Sequence, residues 1–437
     1  MSPNNQNPTF NLKAVLRETG LKPDTLRAWE RRYGLPQPQR SGGGHRLYSQ
    51  RDIDTIKWLI ARQQGGMSIS RAVDLWRSFE AGGRDPLHMA EFAGPEAITG
   101  AVTLPGGDAL VELRRSWVAA CMDFDERSAE QVITQAYAMY PVEVVCLELL
   151  QKGLADVGEG WYRGEITVQQ EHFASELAVR RLEALLAATP PPTRPERILV
   201  GCPPEEGHTF SSLLLSLLLR RRGWGVVYLG ANVPLLRLEH TIRDATPQLV
   251  ILSAQQLHTA ATLLEMAQFL RQKRISLAFG GAIFNHLPAL RARIPGHFLG
   301  ESLDLALYAA EELMSAPRPL PAVPATTEAY RRALAHYRER QPLIEAQVWQ
   351  ATEHTGVDHD HLAIANLELA RNIIAALALG DMDFLGVDIE WVEGLLSNYR
   401  LPRELLYRYL RIYQHVAQTL LDERGVPIVA WLARLTG

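Results

Sequence analysis

A carboxylate and an imidazole two residues apart, Glu206 and His208 in PPEEGHTFSS, form the pair in this chain best suited to holding a metal. A neutral imidazole is a good transition-metal ligand, and a nearby carboxylate fixes which ring nitrogen keeps its proton. Read alone, the same pair also suits a solvated loop. A second set lies upstream in VGEGWYRGEITVQQEHFAS: Trp161, Val168 and the Glu171–His172 pair. A turn at Gly164 brings the large ring back toward a carboxylate and an imidazole at one bundle end. A core tryptophan beside a surface Glu–His pair fits these residues too. Ser253 ends the run QLVILSA, and Gly280–Gly281 falls in ISLAFGGAIF, where missing side chains let a bulky ligand approach the backbone. Near the N-terminus, PDTLRAWERRYG sets Arg27 and Arg31 four apart on one helix face with Arg32 beside them. Such a helix suits the major groove, where arginine reads guanine edges or holds phosphates. His45, Arg46 and Tyr48 in GHRLYS form a wing against the backbone. The alternative is a solvated charged helix with a structural hairpin.

The elements that must position these groups follow from punctuation and period. Gly- and Pro-rich stretches at 80–108, 187–196 and 315–328 divide the 437 residues into segments 1–80, 109–186, 197–314 and 329–437. The first reads as short helices around a small β-hairpin, SGGGHRLYS. The second is helical and long enough for four helices. The third alternates apolar strands (RILVGCP, GVVYLGANV, QLVILSA, ISLAFGGAIF) with helices, the pattern of a parallel sheet covered on both faces. Ligands of such sheets sit beyond the carboxyl ends of the strands, where His208, Ser253 and Gly280 fall. The fourth is again helical. Composition is ordinarily globular, 47% apolar and 22% charged, which excludes wholesale disorder. The net charge of −4 hides an asymmetry: residues 1–80 carry 13 Lys/Arg against 7 Asp/Glu, the remainder 32 against 42. A basic lobe on an acidic body suits a nucleic-acid-binding head on a sensor. Three scattered cysteines, no signal-peptide pattern and no apolar run approaching a membrane span point to a cytoplasmic protein without a membrane partner.

The succession helix–turn–helix, RRYG, glycine-rich turn, HRLYS and RDIDTIKWL resembles the MerR family of winged helix-turn-helix regulators from about Phe10 to Ser78. That resemblance places Arg27, Arg31 and Arg32 on the recognition helix, Arg46 and Tyr48 on the wing, and a double-stranded DNA operator as partner. The next two segments resemble the cobalamin-binding module, a helical bundle capping a Rossmann-like domain. Trp161, nine residues, then Glu171–His172 is similar to adenosylcobalamin photoreceptor repressors of the CarH type. Glu206-Gly207-His208 matches that family's Glu-x-His signature, and Ser253 and Gly280–Gly281 its later loops. The resemblance implies that His208 ligates cobalt from below and that the nucleotide tail enters near Ser253 and Gly280. It also implies that Trp161, Val168, Glu171 and His172 enclose the 5′-deoxyadenosyl group. Two positions depart from the pattern: Ser211 replaces a glycine, and Tyr162 replaces the histidine that ligates cobalt after photolysis.

The resulting expectation is a multidomain α and α/β protein: winged helix-turn-helix head, four-helix bundle, Rossmann-like cobalamin domain and all-α tail. Functionally it is a non-enzymatic, light-responsive repressor that changes homo-oligomeric state, dimer or tetramer, and DNA affinity. A cobalamin sensor without light response and a corrinoid methyl carrier are the competing readings. In the tail, His354, His359 and His361 fit an exposed loop, and Trp391, Tyr407, Tyr409 and Tyr413 fit a core. In position, length and helicity the tail resembles the biliverdin-binding domain of photocobilins, which adds a two-chromophore reading, although no cysteine there offers a thioether.

Overall fold

The computed structural model describes residues 10–19, 21–40, 46–64, 69–70, 72–73, 76–77, 107–352, 359–399 and 402–436. Two compact units divide at Leu104/Pro105. In the first, β1 (Phe10–Asn11) runs into α1 (Leu12–Thr19), and α2 (Pro23–Tyr33) follows. Pro23 sits in the first turn of α2, where its missing amide costs nothing, and Gly34 ends the helix at φ 66° with its N–H donating to the Glu30 carbonyl. The wing is present: β2 (Gln39–Arg40) and β3 (Arg46–Tyr48) pair antiparallel, and β1 pairs with the other edge of β3. Sequence periodicity merged β1 with the helix after it. The side chains of Val15, Leu26, Trp29 and Tyr48 pack inward with Ile53, Ile56 and Leu59 of α3 (Gln50–Gln64). His45 and most of the linker at 80–108 lie outside the described residues.

The second unit opens with four helices. These are α4 (Gly107–Met122), α5 (Glu126–Met139), a composite α6 and α7 (Val168–Ala187). The composite α6 starts at Val142–Val144, widens to a π-helix over Val145–Gln151 and continues as Lys152–Tyr162. Thr167 caps α7 through a reciprocal pair with Gln170, which fixes where the helix bearing Glu171 begins. Five strands follow, β4 (Arg197–Gly201), β5 (Gly225–Gly230), β6 (Leu249–Ser253), β7 (Leu277–Gly280) and β8 (His297–Phe298), all parallel in the order β5-β4-β6-β7-β8. The two-residue edge strand β8 is one more than the apolar runs indicate. Order reverses beside β4, so the loops after β4 and β6 border the crevice where ligands of such sheets bind.

Alternation along the buried strands splits the sheet between two cores. Ile198, Val200, Ile251 and Ala278 share a cluster with the bundle and with α8 (Phe210–Arg221) and α12 (Leu303–Ser315). Leu199, Val250, Leu252 and Phe279 share the other with α10 (Leu257–Gln272) and the C-terminal helices. The helices α9 (Leu238–Ala245) and α11 (Ala282–His286) complete the connections. The tail forms α13 (Glu328–Thr352), α14 (His359–Leu379), α15 (Gly386–Asn398), α16 (Glu404–Leu420) and α17 (Val426–Thr436), so its core is continuous with that of the sheet domain. Sequence breakers give no hint of that continuity, because contact between α10 and α14 is long-range.

Two tail expectations divide here. Tyr409 and Tyr413 are core residues: Tyr409 donates to Asn366 Oδ1 at 2.7 Å, and the hydroxyls of Tyr413 and Tyr337 pair in the interior. Trp391 is not, since 43% of it is exposed. The expectation that no apolar run reaches the length of a membrane span also needs correction. Leu362–Leu379 within α14 is long and apolar enough by length and composition, with mean hydropathy 1.6, and half of it is buried inside the protein. Its apolar side packs on α10 and α13, which accounts for the composition.

Candidate functional site

At the carboxyl end of β4 the Glu206 side chain is completely buried and fully used. One oxygen accepts from the His208 backbone N–H at 2.9 Å and from His208 Nδ1 at 2.7 Å. The other accepts from the Gln255 N–H and the Thr259 hydroxyl, each at 2.7 Å. One carboxylate therefore ties the loop after β4 to the loop after β6 across the point where strand order reverses. Burial pushes the Glu206 carboxyl up, but donation from His208, Thr259 and Gln255 more than offsets it and holds the group below its ordinary value. The hydrogen bond to Glu206 raises His208 above the usual imidazole value against the effect of burial, and the charges of Glu206 and Glu171 add to it. With Nδ1 as donor, the lone pair sits on Nε2, and the side chain remains 63% exposed. That is the arrangement of a metal-ligating histidine oriented by a carboxylate.

The other loops are knitted by one glutamine. Gln255 Nε2 donates to the nearly buried Ser253 hydroxyl at 2.8 Å, and Gln255 Oε1 accepts from the Ala282 N–H at 2.8 Å. Ser253 and Gly280 are paired in register on β6 and β7. Gly281 adopts φ 122°, and a Cβ there would meet the Ala254 carbonyl oxygen at 1.8 Å, so only glycine allows this crossing. At Gly207 and Gly280 a Cβ would find nothing within 4 Å. The backbone at these two glycines is thus uncovered on the side a Cβ would take.

From the bundle, Glu171 accepts from His172 Nδ1 and the Ser175 hydroxyl, both at 2.7 Å. The Glu171 charge is felt at His208, so the start of α7 and the loop after β4 confront each other. Val168 is exposed at the first position of α7. Trp161 lies at the end of α6 with its ring centroid 5.9 Å from that of Trp391. An exposed imidazole backed by a buried carboxylate, with glycines at 207, 280 and 281 and Glu171 of the bundle close enough to act on it, fits a corrinoid held between bundle and sheet. Thiolate ligation is not offered: burial pushes the thiols of Cys121 and Cys146 up to about 12 and that of Cys202 to about 11.

In the head, Arg27, Arg31 and Arg32 are exposed on α2, with the Arg32 guanidinium 5.4 Å from the Tyr33 ring centroid. Leu26 and Trp29 bury the opposite side of that helix. Arg46 Nε donates to Glu30 at 2.9 Å, and Tyr48, expected at the DNA backbone, is instead fully buried, its hydroxyl donating to Glu30 at 2.6 Å. Glu30 thus couples the wing to α2, and Tyr48 braces it. Sequence reading missed this carboxylate, together with Gln255 and Thr259. A lone acidic residue in the basic run RAWERR is the one signal that pointed to it.

The MerR HTH family regulatory protein family matches residues 10–78, and two families described as B12 binding domains match residues 113–186 and 196–305. These matches define a DNA-binding transcriptional regulator built on a cobalamin-binding module. HTH-type transcriptional repressor CarH of Myxococcus xanthus is 32% identical over 297 residues, covering 67% of this chain and 96% of that protein. CarA of the same organism, also an HTH-type transcriptional repressor, is 32% identical over 248 residues, 56% of this chain and 76% of that one. The chain belongs to the CarH family of MerR-type, B12-binding regulators. Among solved structures, the Methanosarcina barkeri monomethylamine corrinoid protein is 17% identical, covers 48% of this chain and 100% of its own, and superposes with a TM-score of 0.39.

Proposed function

We propose that this protein is a light-responsive repressor in which adenosylcobalamin, held by residues 109–314, controls how a DNA-binding head at 1–80 engages its operator. The observation that carries the reading is the saturated Glu206 carboxylate, which presents His208 Nε2 next to Gly207, with the backbone of Gly207 and Gly280 left uncovered. In this reading His208 would hold the cobalt through Nε2. Ser253, Gly280 and Gly281 border the nucleotide tail, and Trp161, Val168, Glu171 and His172 border the upper group. When bound, the cobalamin supplies visible absorption and a cobalt–carbon bond that light cleaves. With the upper group present, the bundle holds one arrangement and chains associate. Several heads on one homo-oligomer then bind operator repeats far more tightly than one head, with Arg27, Arg31, Arg32 and Arg46 facing phosphates and base edges. A full reversal between states needs roughly 5.5 kcal/mol of differential binding free energy, a scale compatible with loss of a buried adenosyl group.

The test is reconstitution with adenosylcobalamin in darkness, followed by absorption spectrum, oligomer size and operator shift before and after illumination. The expected outcome is a changed spectrum with altered assembly and DNA affinity. Bleaching that leaves both assembly and DNA binding unchanged refutes the photoreceptor reading. Cobalamin-dependent DNA binding insensitive to light would select the sensor reading, which the engagement of Tyr162 by the tail favours. His208→Ala abolishes histidine-ligated binding; a wild-type spectrum in that variant removes His208 from its role. Added biliverdin tests the two-chromophore alternative by its own absorption.

A further inference from the structure

Beyond the core they share with the sheet, the C-terminal helices meet the bundle at the turn that ends α6. Trp391 on α15 lies against Trp161 and is stacked on Tyr162, with centroids 5.7 Å apart and planes inclined by 29°. The last carbonyls of a helix have no helical N–H to accept from, and at the end of α6 the Trp161 carbonyl takes the Gly164 N–H of the turn at 2.9 Å. The tail adds donors: Tyr399 Oη gives the Trp161 carbonyl a second hydrogen bond at 3.1 Å, and Asn398 Nδ2 donates to the Tyr162 carbonyl at 2.9 Å. Tyr162 Oη returns a longer bond to the Trp391 carbonyl at 3.5 Å. The fit is close, since a Cβ on Gly394 would lie 1.8 Å from Tyr162 Oη, and one on Gly164 would touch the Asn398 carbonyl oxygen at 3.5 Å. The tail therefore fixes the backbone and ring of Trp161 from outside the bundle.

We propose that α15 is an intramolecular latch through which the C-terminal domain preorganises the upper side of the corrinoid site and senses what occupies it. The inference rests on the reading that Trp161 borders the upper group. Holding a wall in place before binding removes an ordering cost from any ligand that uses the wall. A corrinoid with a bulky upper group gains from the latch, and one with a small upper group does not. Coupling of this kind is reciprocal, so the bulky upper group must in turn hold the tail down.

Two measurements on the full chain in darkness test this, with adenosylcobalamin and hydroxocobalamin as probes. The first is the ratio of their dissociation constants, from absorption titrations. Trp391→Ala, and separately the milder pair Asn398→Ala and Tyr399→Phe, is expected to shift that ratio against adenosylcobalamin about five-fold or more, while hydroxocobalamin binding holds. The second is protease resistance of the segment after residue 328, expected to be greater with adenosylcobalamin than with hydroxocobalamin in wild type and equal in the variants. An unchanged ratio with equal tail protection in wild type overturns the latch. If wild type binds neither corrinoid, it is the functional reading itself that has failed. Should Trp391→Ala misfold, the Asn398 and Tyr399 pair carries the decision, since it removes two side-chain donors and leaves the tail core intact.

Discussion

Glu206 is the residue on which most of the site depends, because four donors converge on its two oxygens in a place closed to water. A glutamine of the same shape has one acceptor oxygen, so its amide nitrogen must face groups that also donate. Glu206→Gln should lower unfolding free energy by about 1–3 kcal/mol, measured by denaturant titration. It should also weaken cobalamin binding by roughly 10–100-fold, because the imidazole loses the group that orients it. Unchanged affinity would mean that His208 needs no orienting partner. At this scale the sequence was informative wherever chemistry depends on short spacing. Glu206 and His208 are two apart, and Arg27, Arg31 and Arg32 share one short helix. It was silent on Gln255 and Thr259, whose part in the site depends on a loop about fifty residues away in the chain. It misplaced Tyr48, because alternation in a three-residue strand does not tell which face meets the core and which meets a partner.

Among the elements, the strand ends do more for the site than the helices do. The crossing between the loops after β6 and β7 brings backbone against backbone, and Gly281 at φ 122° is where it happens. Gly281→Ala places a methyl group on the Ala254 carbonyl in a region of φ that side chains avoid. The expected cost is about 3 kcal/mol or more, together with loss of corrinoid binding as the loop shifts. Gly207→Ala is the matched control: its Cβ meets nothing within 4 Å, so thermal stability should stay near wild type. Equal losses in the two variants would show that the crossing is not the constraint described. Most elements were legible because buried parallel strands and amphipathic helices carry distinct periods. β1 and β8, two residues each, are too short to carry any period. The same limit hid the role of Trp391: aromatic residues at helical spacing read as core, and only the long-range approach of α15 to the end of α6 turns one of them outward onto another domain.

For the molecule as a whole, the boundary that matters runs along α10, which the sheet shares with the tail. His258 is buried on that helix and feels Glu368 and Arg371 of α14 together with Glu205 and Glu206 of the loop after β4. Burial holds its imidazole below the ordinary value; Glu368, Glu205 and Glu206 pull it up and Arg371 pushes it down, but burial prevails. The unfolded chain therefore binds a proton at His258 before the folded chain does. Above the ordinary imidazole value, about 6.5, both states are neutral and pH has no leverage through this group. As pH falls below it, the unfolded state gains protons first and stability is lost, by up to about 1.4 kcal/mol per pH unit, until the folded value is passed. His258→Gln removes this dependence while keeping a polar side chain. The difference between wild-type and variant unfolding free energies should be flat above pH 7 and should slope as pH drops toward 5. His297, also held low by burial, is present in both proteins and cancels. A difference that stays flat down to pH 5 would mean that His258 takes up its proton without disturbing the joint, and that the seam between sheet and tail is open to water.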